Sequence, residues 1–105
     1  MKTAFENIEL IKNETGHRFE LNYQEHIAFI DYKETSSQIA LIHTEAPEAL
    51  AGTGAAAALV EKTLMHIAES GKKLLPFCPY VFAFIKRHPE WKRIVDPRFE
   101  GYDQL

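Results

Sequence analysis

The hydrophobic pattern of this chain changes its period once, at Pro47. Before Pro47, apolar and polar residues alternate around residues 18–23, and two further runs, 26–33 and 38–45, are rich in β-branched and aromatic residues. Such runs are typical of strands, and the short polar connectors between them favour antiparallel hairpins. After Pro47, apolar residues recur at three- and four-residue steps through residues 55–70, which predicts an amphipathic helix.

The remainder of the chain predicts one more strand and one more helix. Gly71 is suited to end the first helix in a left-handed conformation. Residues 74–77 form a short apolar run that predicts a buried strand, and a second helix over residues 79–87 is expected to end before Pro89. Residues 90–94 are expected to add one further turn.

The order of these elements predicts their topology. A strand, a helix and a strand in succession imply a parallel pair joined by a right-handed crossover. The chain is therefore predicted to be an α+β domain in β-β-β-α-β-α order, with a mostly antiparallel sheet, one parallel strand pair and two main helices. Residues 8–12 are expected to contribute an additional edge strand.

Length and charge limit the class of protein. We expect a single domain over residues 1–105, and the excess of 15 acidic over 12 basic residues gives no bulk positive field for nucleic acid or an anionic membrane. The sequence contains no apolar stretch of the ~20 residues that a membrane span needs. Glu6 and Glu9 argue against a transit peptide, and the lone Cys78 excludes an internal disulfide. A cytoplasmic protein is expected, whereas the oligomeric state is not predicted.

A glycine-rich turn lies between the last strand of the first half and the first helix. Gly52 and Gly54 let backbone amides approach an anion closely, and the helix start that follows favours negative charge. A tight turn with no ligand would use the same residues. The sequence has neither a P-loop nor a dinucleotide-binding fingerprint, and no spacing typical of a metal site, so no metal is expected.

Four motifs in the right order resemble the GNAT superfamily of acyl-CoA N-acyltransferases. They are similar, more narrowly, to its very short single-domain members, over residues 18–94. The motifs are Ile42-His43-Thr44-Glu45-Ala46-Pro47, Gly52-Thr53-Gly54, Leu75-Pro76-Phe77-Cys78-Pro79-Tyr80-Val81 and Arg87-His88-Pro89-Glu90-Trp91.

The resemblance implies that acetyl-CoA binds between two splayed parallel strands, residues 39–45 and 73–77. Backbone at Thr44 and Ala46 would pair with the pantetheine arm. The pyrophosphate would be held by the turn that contains Leu50, Ala51, Gly52, Thr53, Gly54 and Ala55.

Two differences from the superfamily stand out. Ala49 and Ala51 occupy positions where members carry Gln or Arg, which removes a side-chain contact to phosphate. Phe84 and Ile85 lie where many members place the tyrosine that protonates the departing thiolate, so Tyr80, one turn earlier, is the candidate for that role.

Three residues are candidates for the chemistry, each with a structural alternative. Cys78 is expected at a helix N-terminus, where a thiol pKa is lowered, and the resemblance offers it as an acyl-accepting nucleophile; a buried packing role is the alternative. His43 and Glu45 share one face of a strand and could act through water as the base, or be solvated strand-end residues. Thr44 is expected to point the other way.

Lys86 and Arg87 belong to a basic segment that could contact the phosphates of the coenzyme or form a solvated helix face. Phe77, Phe82 and Phe84 are interpreted as core residues.

The leading hypothesis is an acetyl-CoA-dependent N-acetyltransferase that acts on a primary amine of a small molecule, peptide or protein. The alternatives are an acyl-CoA-binding or partner-docking module with little turnover and, from a third class, a purely structural domain.

Overall fold

Five strands form one mixed sheet in chain order, and the computed structural model describes all 105 residues. The first four strands are antiparallel and the last pair, β4 and β5, is parallel. The strands are β1 Ile11–Asn13, β2 Arg18–Tyr23, β3 His26–Glu34, β4 Gln38–Glu45 and β5 Lys73–Pro76. The predicted α+β fold is therefore confirmed.

The sequence predicted the turn between β2 and β3 more accurately than it predicted the edge strand. The edge strand, expected over residues 8–12, is β1, and it begins only at Ile11. Residues 8 and 10 instead pack against the core. The connection between β2 and β3 is the expected two-residue turn, in which Gln24 and Glu25 both adopt positive φ, at 50° and 64°.

Two α-helices follow the sheet strands at the predicted positions. The helix α1 spans Ala55–Ser70, and α2 spans Pro79–Arg87. The extra turn is a 3₁₀ helix over Pro89–Ile94. Gly71 has a φ of 77° and its amide donates to a carbonyl of the last turn of α1, as predicted. Neither helix is long and apolar enough to span a membrane.

The sheet has one covered face and one more open face. Ile30 and Tyr32 on β3 are buried with the helices in one core of 23 residues, whereas the intervening Asp31 is only half-buried. A β-bulge interrupts β4, because Tyr32 pairs with Leu41 while Asp31 pairs with His43. The bulge places Thr44 on the core face and its two neighbours on the open face.

The core interpretation of the three phenylalanines was right for one of them. Phe84 is buried and Phe82 is half-buried. Phe77 is 56% exposed, because β5 ends at Pro76 and the chain turns outward to begin α2. The Phe77 ring packs edge-on against Phe99, with the ring centres 5.3 Å apart.

A buried carboxylate, paired with an exposed arginine, attaches the C-terminal segment to the sheet. Asp96 is 1% exposed, and its carboxylate accepts hydrogen bonds from Arg98 and from Gln38 of β4. The Arg98 guanidinium holds the pKa of Asp96 far below its usual value. The Asp96 amide also donates to the Leu74 carbonyl of β5 at 2.9 Å. This attachment extends the parallel edge of the sheet.

Candidate functional site

The two parallel strands separate where β4 continues past β5. Their pairing ends at Leu41 and Pro76, whereas β4 continues to Glu45. The Cys78 amide donates to the Leu41 carbonyl at 2.8 Å and closes the paired part. Beyond this bond, residues 43–45 pair only with β3. One edge of their backbone therefore has no strand partner.

A side-chain hydroxyl shapes the glycine-rich turn that follows β4. Gly52 and Gly54 have φ of 76° and 91°, in the left-handed region that favours glycine. Between them, Thr53 Oγ1 donates to the Leu50 carbonyl at 2.6 Å and accepts from the Ala55 amide at 3.1 Å. Leu50 is buried, so the turn is attached to the core at its start.

Four backbone amides of this turn and of the helix start have no partner within the chain. The amides belong to Gly52, Gly54, Ala56 and Ala57. The first backbone bond of α1 runs from the Ala58 amide to the Gly54 carbonyl, and no side chain caps the helix. Unpartnered amides and the positive end of the helix dipole together favour a bound anion.

An open cavity of about 330 Å³ lies against these amides. It brings the turn together with residues just after β4 and with the first turn of α2, so that Tyr80 and Ala46 both line it. Tyr80 is 38% exposed. A Cβ atom built at Gly52 would meet nothing within 4 Å, so the turn itself leaves space for a ligand.

His43 and Glu45 lie on the open face of the sheet, beside the unpaired edge. Their side chains are 59% and 63% exposed, and His43 Nε2 is 4.0 Å from Glu45 Oε1. Asp31 lies opposite His43 on β3. The arrangement places an imidazole and a carboxylate together where solvent can reach both.

Cys78 lies on the other side of the sheet from His43 and Glu45. Its side chain is 2% exposed, and its Sγ is 3.2 Å from Thr44 Oγ1. Thr44 points into the core face, opposite to its neighbours, as expected. Cys78 is the N-cap residue of α2, as predicted, but its thiol is covered.

The basic segment lies away from the glycine-rich turn. Lys86 and Arg87 are exposed in the last turn of α2 and do not line the cavity beside the turn. Lys86 Nζ is 6.0 Å from the centre of the Phe82 ring. No group of three His, Cys, Asp or Glu side chains comes together in a way that could hold a metal ion.

The residues present fit the coenzyme that the resemblance implies. A strand edge that lacks a partner, four unpartnered amides and an open cavity between them suit an extended ligand with amides and phosphates. The sequence analysis missed Ala56 and Ala57, although the first amides of any helix lack partners. It also missed Lys2, whose Nζ donates to the Thr53 carbonyl at 3.0 Å.

Comparison with known proteins agrees with the geometry of this region. A family model described as GCN5-related N-acetyl-transferase matches residues 18–94, which is more than half of the chain. The matched region includes β2 to β5, the glycine-rich turn and both α-helices. No curated protein matches the chain.

Proposed function

Because the chain belongs to the GCN5-related N-acetyltransferase family, we propose that it transfers the acetyl group of acetyl-CoA to a primary amine. One observation carries the proposal: the unpaired edge of β4 leads directly to four unpartnered amides at the start of α1. We further propose that this occurs in one minimal domain. A single cysteine fits the reducing cytoplasm, which is the proposed location.

The proposed coenzyme site uses backbone rather than side chains. The backbone at Thr44 and Ala46 would pair with the pantetheine amides, and the turn from Leu50 to Ala55 would hold the pyrophosphate. When bound, acetyl-CoA supplies the acetyl group as an activated thioester. Donors on the free strand edge would stabilise the charge that develops on the carbonyl oxygen.

His43 and Glu45 are the proposed route for the proton of the amine. A primary amine is mostly protonated at neutral pH and must lose a proton to attack. Histidine is the side chain that takes up and releases protons most readily near neutral pH. The exposure of both residues supports transfer through water. The Tyr80 hydroxyl, on the wall of the cavity beside the glycine-rich turn, is the proposed donor to the thiolate.

The burial of Cys78 supports direct attack by the amine. A nucleophilic thiol needs an accessible thiolate, but the Cys78 side chain is 2% exposed and contacts Thr44. Direct transfer predicts that Cys78→Ala retains activity. An acetyl-Cys78 intermediate predicts loss of activity in this variant and an enzyme carrying an extra acetyl group before amine is added.

The second candidate function is an acyl-CoA-binding or partner-docking module with little turnover. Specific features favour it: Ala49 and Ala51 provide no side-chain phosphate contact, and Phe84 is buried where many members have tyrosine. Such a module would bind the coenzyme and acetylate no amine.

The acceptor side of the proposed site is open. The two-residue turn between β2 and β3 leaves no room for inserted helices that would shape an acceptor pocket. This openness suits an amine on a peptide or protein as well as a small molecule.

Isothermal titration of the protein with acetyl-CoA, with ADP as the phosphate control, tests the proposal. We expect saturable binding of acetyl-CoA that ADP does not match. An amine panel with mass detection then separates an enzyme from a binding module. No binding at millimolar acetyl-CoA would reject the acetyltransferase and the acyl-CoA-binding module, and would leave a partner-docking or structural role.

His43→Ala is the matched test of the proton step. We expect it to lower kcat by about 100-fold, within the usual contribution of a general base, with little change in acetyl-CoA affinity. His26→Ala is the control, since His26 is also exposed on β3 but lies outside the site. Equal kcat in His43→Ala and wild type would remove His43 from the mechanism.

A further inference from the structure

A lysine from the N-terminal segment reaches the glycine-rich turn. Lys2 Nζ donates to the carbonyl of Thr53, a residue 51 positions away in the chain, at 3.0 Å. The Lys2 side chain also lies along Gly54, because a Cβ atom built there would be 3.2–3.3 Å from its last methylenes and its ammonium. The lack of a side chain at Gly54 thus leaves room for Lys2.

Lys2 is held between two attachments and is not part of a free tail. On one side, the Met1 ammonium is 3.5 Å from Glu61 Oε2 on α1. On the other, Phe5 is fully buried and its ring centre is 4.6 Å from that of Tyr23. The Phe5 amide also donates to the Lys2 carbonyl at 3.0 Å. These contacts fix the backbone from which Lys2 extends.

The cavities beside the glycine-rich turn contain few charged side chains, and Lys2 is their one lysine or arginine. The cavity beside the four unpartnered amides has Glu48 as its one charged residue. A second cavity, of about 320 Å³, shares Gly54 and Ala57 with the first. Lys2 lines the second cavity, and no other Lys or Arg lines either of the two. Glu61, also in the second cavity, is engaged by the N-terminal ammonium.

We propose that Lys2 supplies the cation that neutralises the coenzyme diphosphate, in place of the side chains that Ala49 and Ala51 lack. An ammonium has three N–H donors, and Lys2 uses one of them for Thr53. Two donors therefore remain for phosphate oxygens at the turn. The inference rests on the proposed function, and it extends the coenzyme site to a segment outside the family match over residues 18–94.

Titration of three variants with acetyl-CoA and with ADP tests the role of Lys2. Lys2→Met removes the charge and Lys2→Arg keeps it. Lys33→Met makes the same charge change at an exposed lysine of β3 that lies outside the proposed coenzyme site and forms no ion pair. Thermal unfolding of each variant verifies that it is folded.

We expect Lys2→Met to weaken binding of both ligands by about five- to tenfold at low salt, which is modest for a charged hydrogen bond because Lys2 is exposed. Lys2→Arg and Lys33→Met should stay within about threefold of wild type. The difference between Lys2→Met and wild type should shrink at high salt, because salt screens exposed charges.

Each other result overturns the inference in a recognisable way. If wild type binds acetyl-CoA and Lys2→Met binds equally well, the role of Lys2 is rejected while the proposed function stands. If Lys33→Met weakens binding as much, the effect is general attraction and Lys2 has no specific role. If wild type binds neither ligand, the proposed function and the inference fall together.

Discussion

The two ends of α1 resemble each other in backbone and differ in how their polar groups are used. Gly54 before the helix and Gly71 after it are both left-handed, with φ of 91° and 77°. At the C-terminal end, the Gly71 amide and the Ser70 hydroxyl both donate to last-turn carbonyls. At the N-terminal end, the amides of Ala56 and Ala57 have no partner.

The difference divides α1 into a closed end and an open end. The closed, C-terminal end is structural, and the open, N-terminal end has amides available to a ligand. The C-terminal end is also tied to the sheet, because Lys72 Nζ is 2.6 Å from Glu34 Oε2 and donates to the Thr35 carbonyl. The N-terminal end lacks the side-chain cap that is typically worth about 1 kcal/mol, and it faces an open cavity instead. The N-terminus of α2 also lacks a side-chain cap, so the unpartnered amides that face this cavity, and not the missing cap alone, set the N-terminal end of α1 apart.

The largest effect is expected from a negative charge at the open end. Ala56→Glu should weaken acetyl-CoA binding by at least about 30-fold, since two like charges about 5 Å apart near a protein surface repel by roughly 3 kcal/mol. The same carboxylate should raise the free energy of unfolding by about 0.3–1 kcal/mol through the helix dipole. Calorimetry and urea unfolding measure the two opposite changes.

Met65→Glu is the control for this charge. Met65 is 46% exposed in the middle of α1, away from both ends. It should leave acetyl-CoA binding unchanged, and it should lower the free energy of unfolding slightly, because Glu61 and Glu69 lie one turn away on either side. Unchanged binding in Ala56→Glu would mean that the open end is not the phosphate site.

The matched glycine variants should separate binding from stability. Gly54→Ala and Gly71→Ala should each lower the free energy of unfolding by about 1 kcal/mol, because a side chain is strained in the left-handed region. Only Gly54→Ala should also weaken acetyl-CoA binding, by about tenfold, since its methyl group would lie 3.2–3.3 Å from the Lys2 side chain, whereas a methyl group at Gly71 meets nothing within 4 Å. Equal binding losses in the two variants would erase the distinction between the helix ends.

The two hydroxyls that order the ends of α1 should show the same separation of binding from stability, with smaller effects. Thr53→Val loses both hydrogen bonds of Thr53 Oγ1, and Ser70→Ala loses those of Ser70 Oγ to Ile67 and Lys72. Each should cost about 1 kcal/mol of stability. Thr53→Val should in addition weaken acetyl-CoA binding about threefold. A binding loss confined to Ser70→Ala would reverse the assignment.

Acid should weaken the ion pairs of Glu34, one of which ties the closed end of α1 to the sheet. A hydrogen bond from Lys12 and a second, smaller contribution from Lys72 hold the pKa of Glu34 below its ordinary value of 4.5. This stabilisation is present above pH 4.5 and is lost as the pH falls through the lowered pKa. The expected loss is under about 1 kcal/mol, since the pair is near the surface. The free energies of unfolding of Glu34→Gln and wild type should converge at low pH. A difference that stays constant with pH would contradict this prediction.

The sequence predicted the parts of the fold that depend on local periodicity. The helix over residues 55–70 and the hairpin at Gln24 and Glu25 follow from local hydrophobic spacing and turn length. The bulge in β4 and the exposure of Phe77 depend on how neighbouring strands end, which no local pattern contains. The register of the sheet decides both.

The candidate site divides in the same way. The anion-binding turn was predicted because Gly52 and Gly54 stand directly before a helix. Lys2 was missed because it contacts Thr53 across 51 positions, and nothing in a polar N-terminal segment indicates where it will pack. The burial of Cys78 likewise depends on Thr44, which only the folded sheet brings beside it.

The most direct test is an amide NMR titration of the labelled wild-type protein with acetyl-CoA. The largest saturable shifts should fall on the amides of Gly52, Gly54, Ala56 and Ala57, while that of Gly71 at the closed end stays in place. Saturable shifts that spare those four amides, or no shifts at millimolar acetyl-CoA, would contradict the assignment of the open end of α1 to the coenzyme.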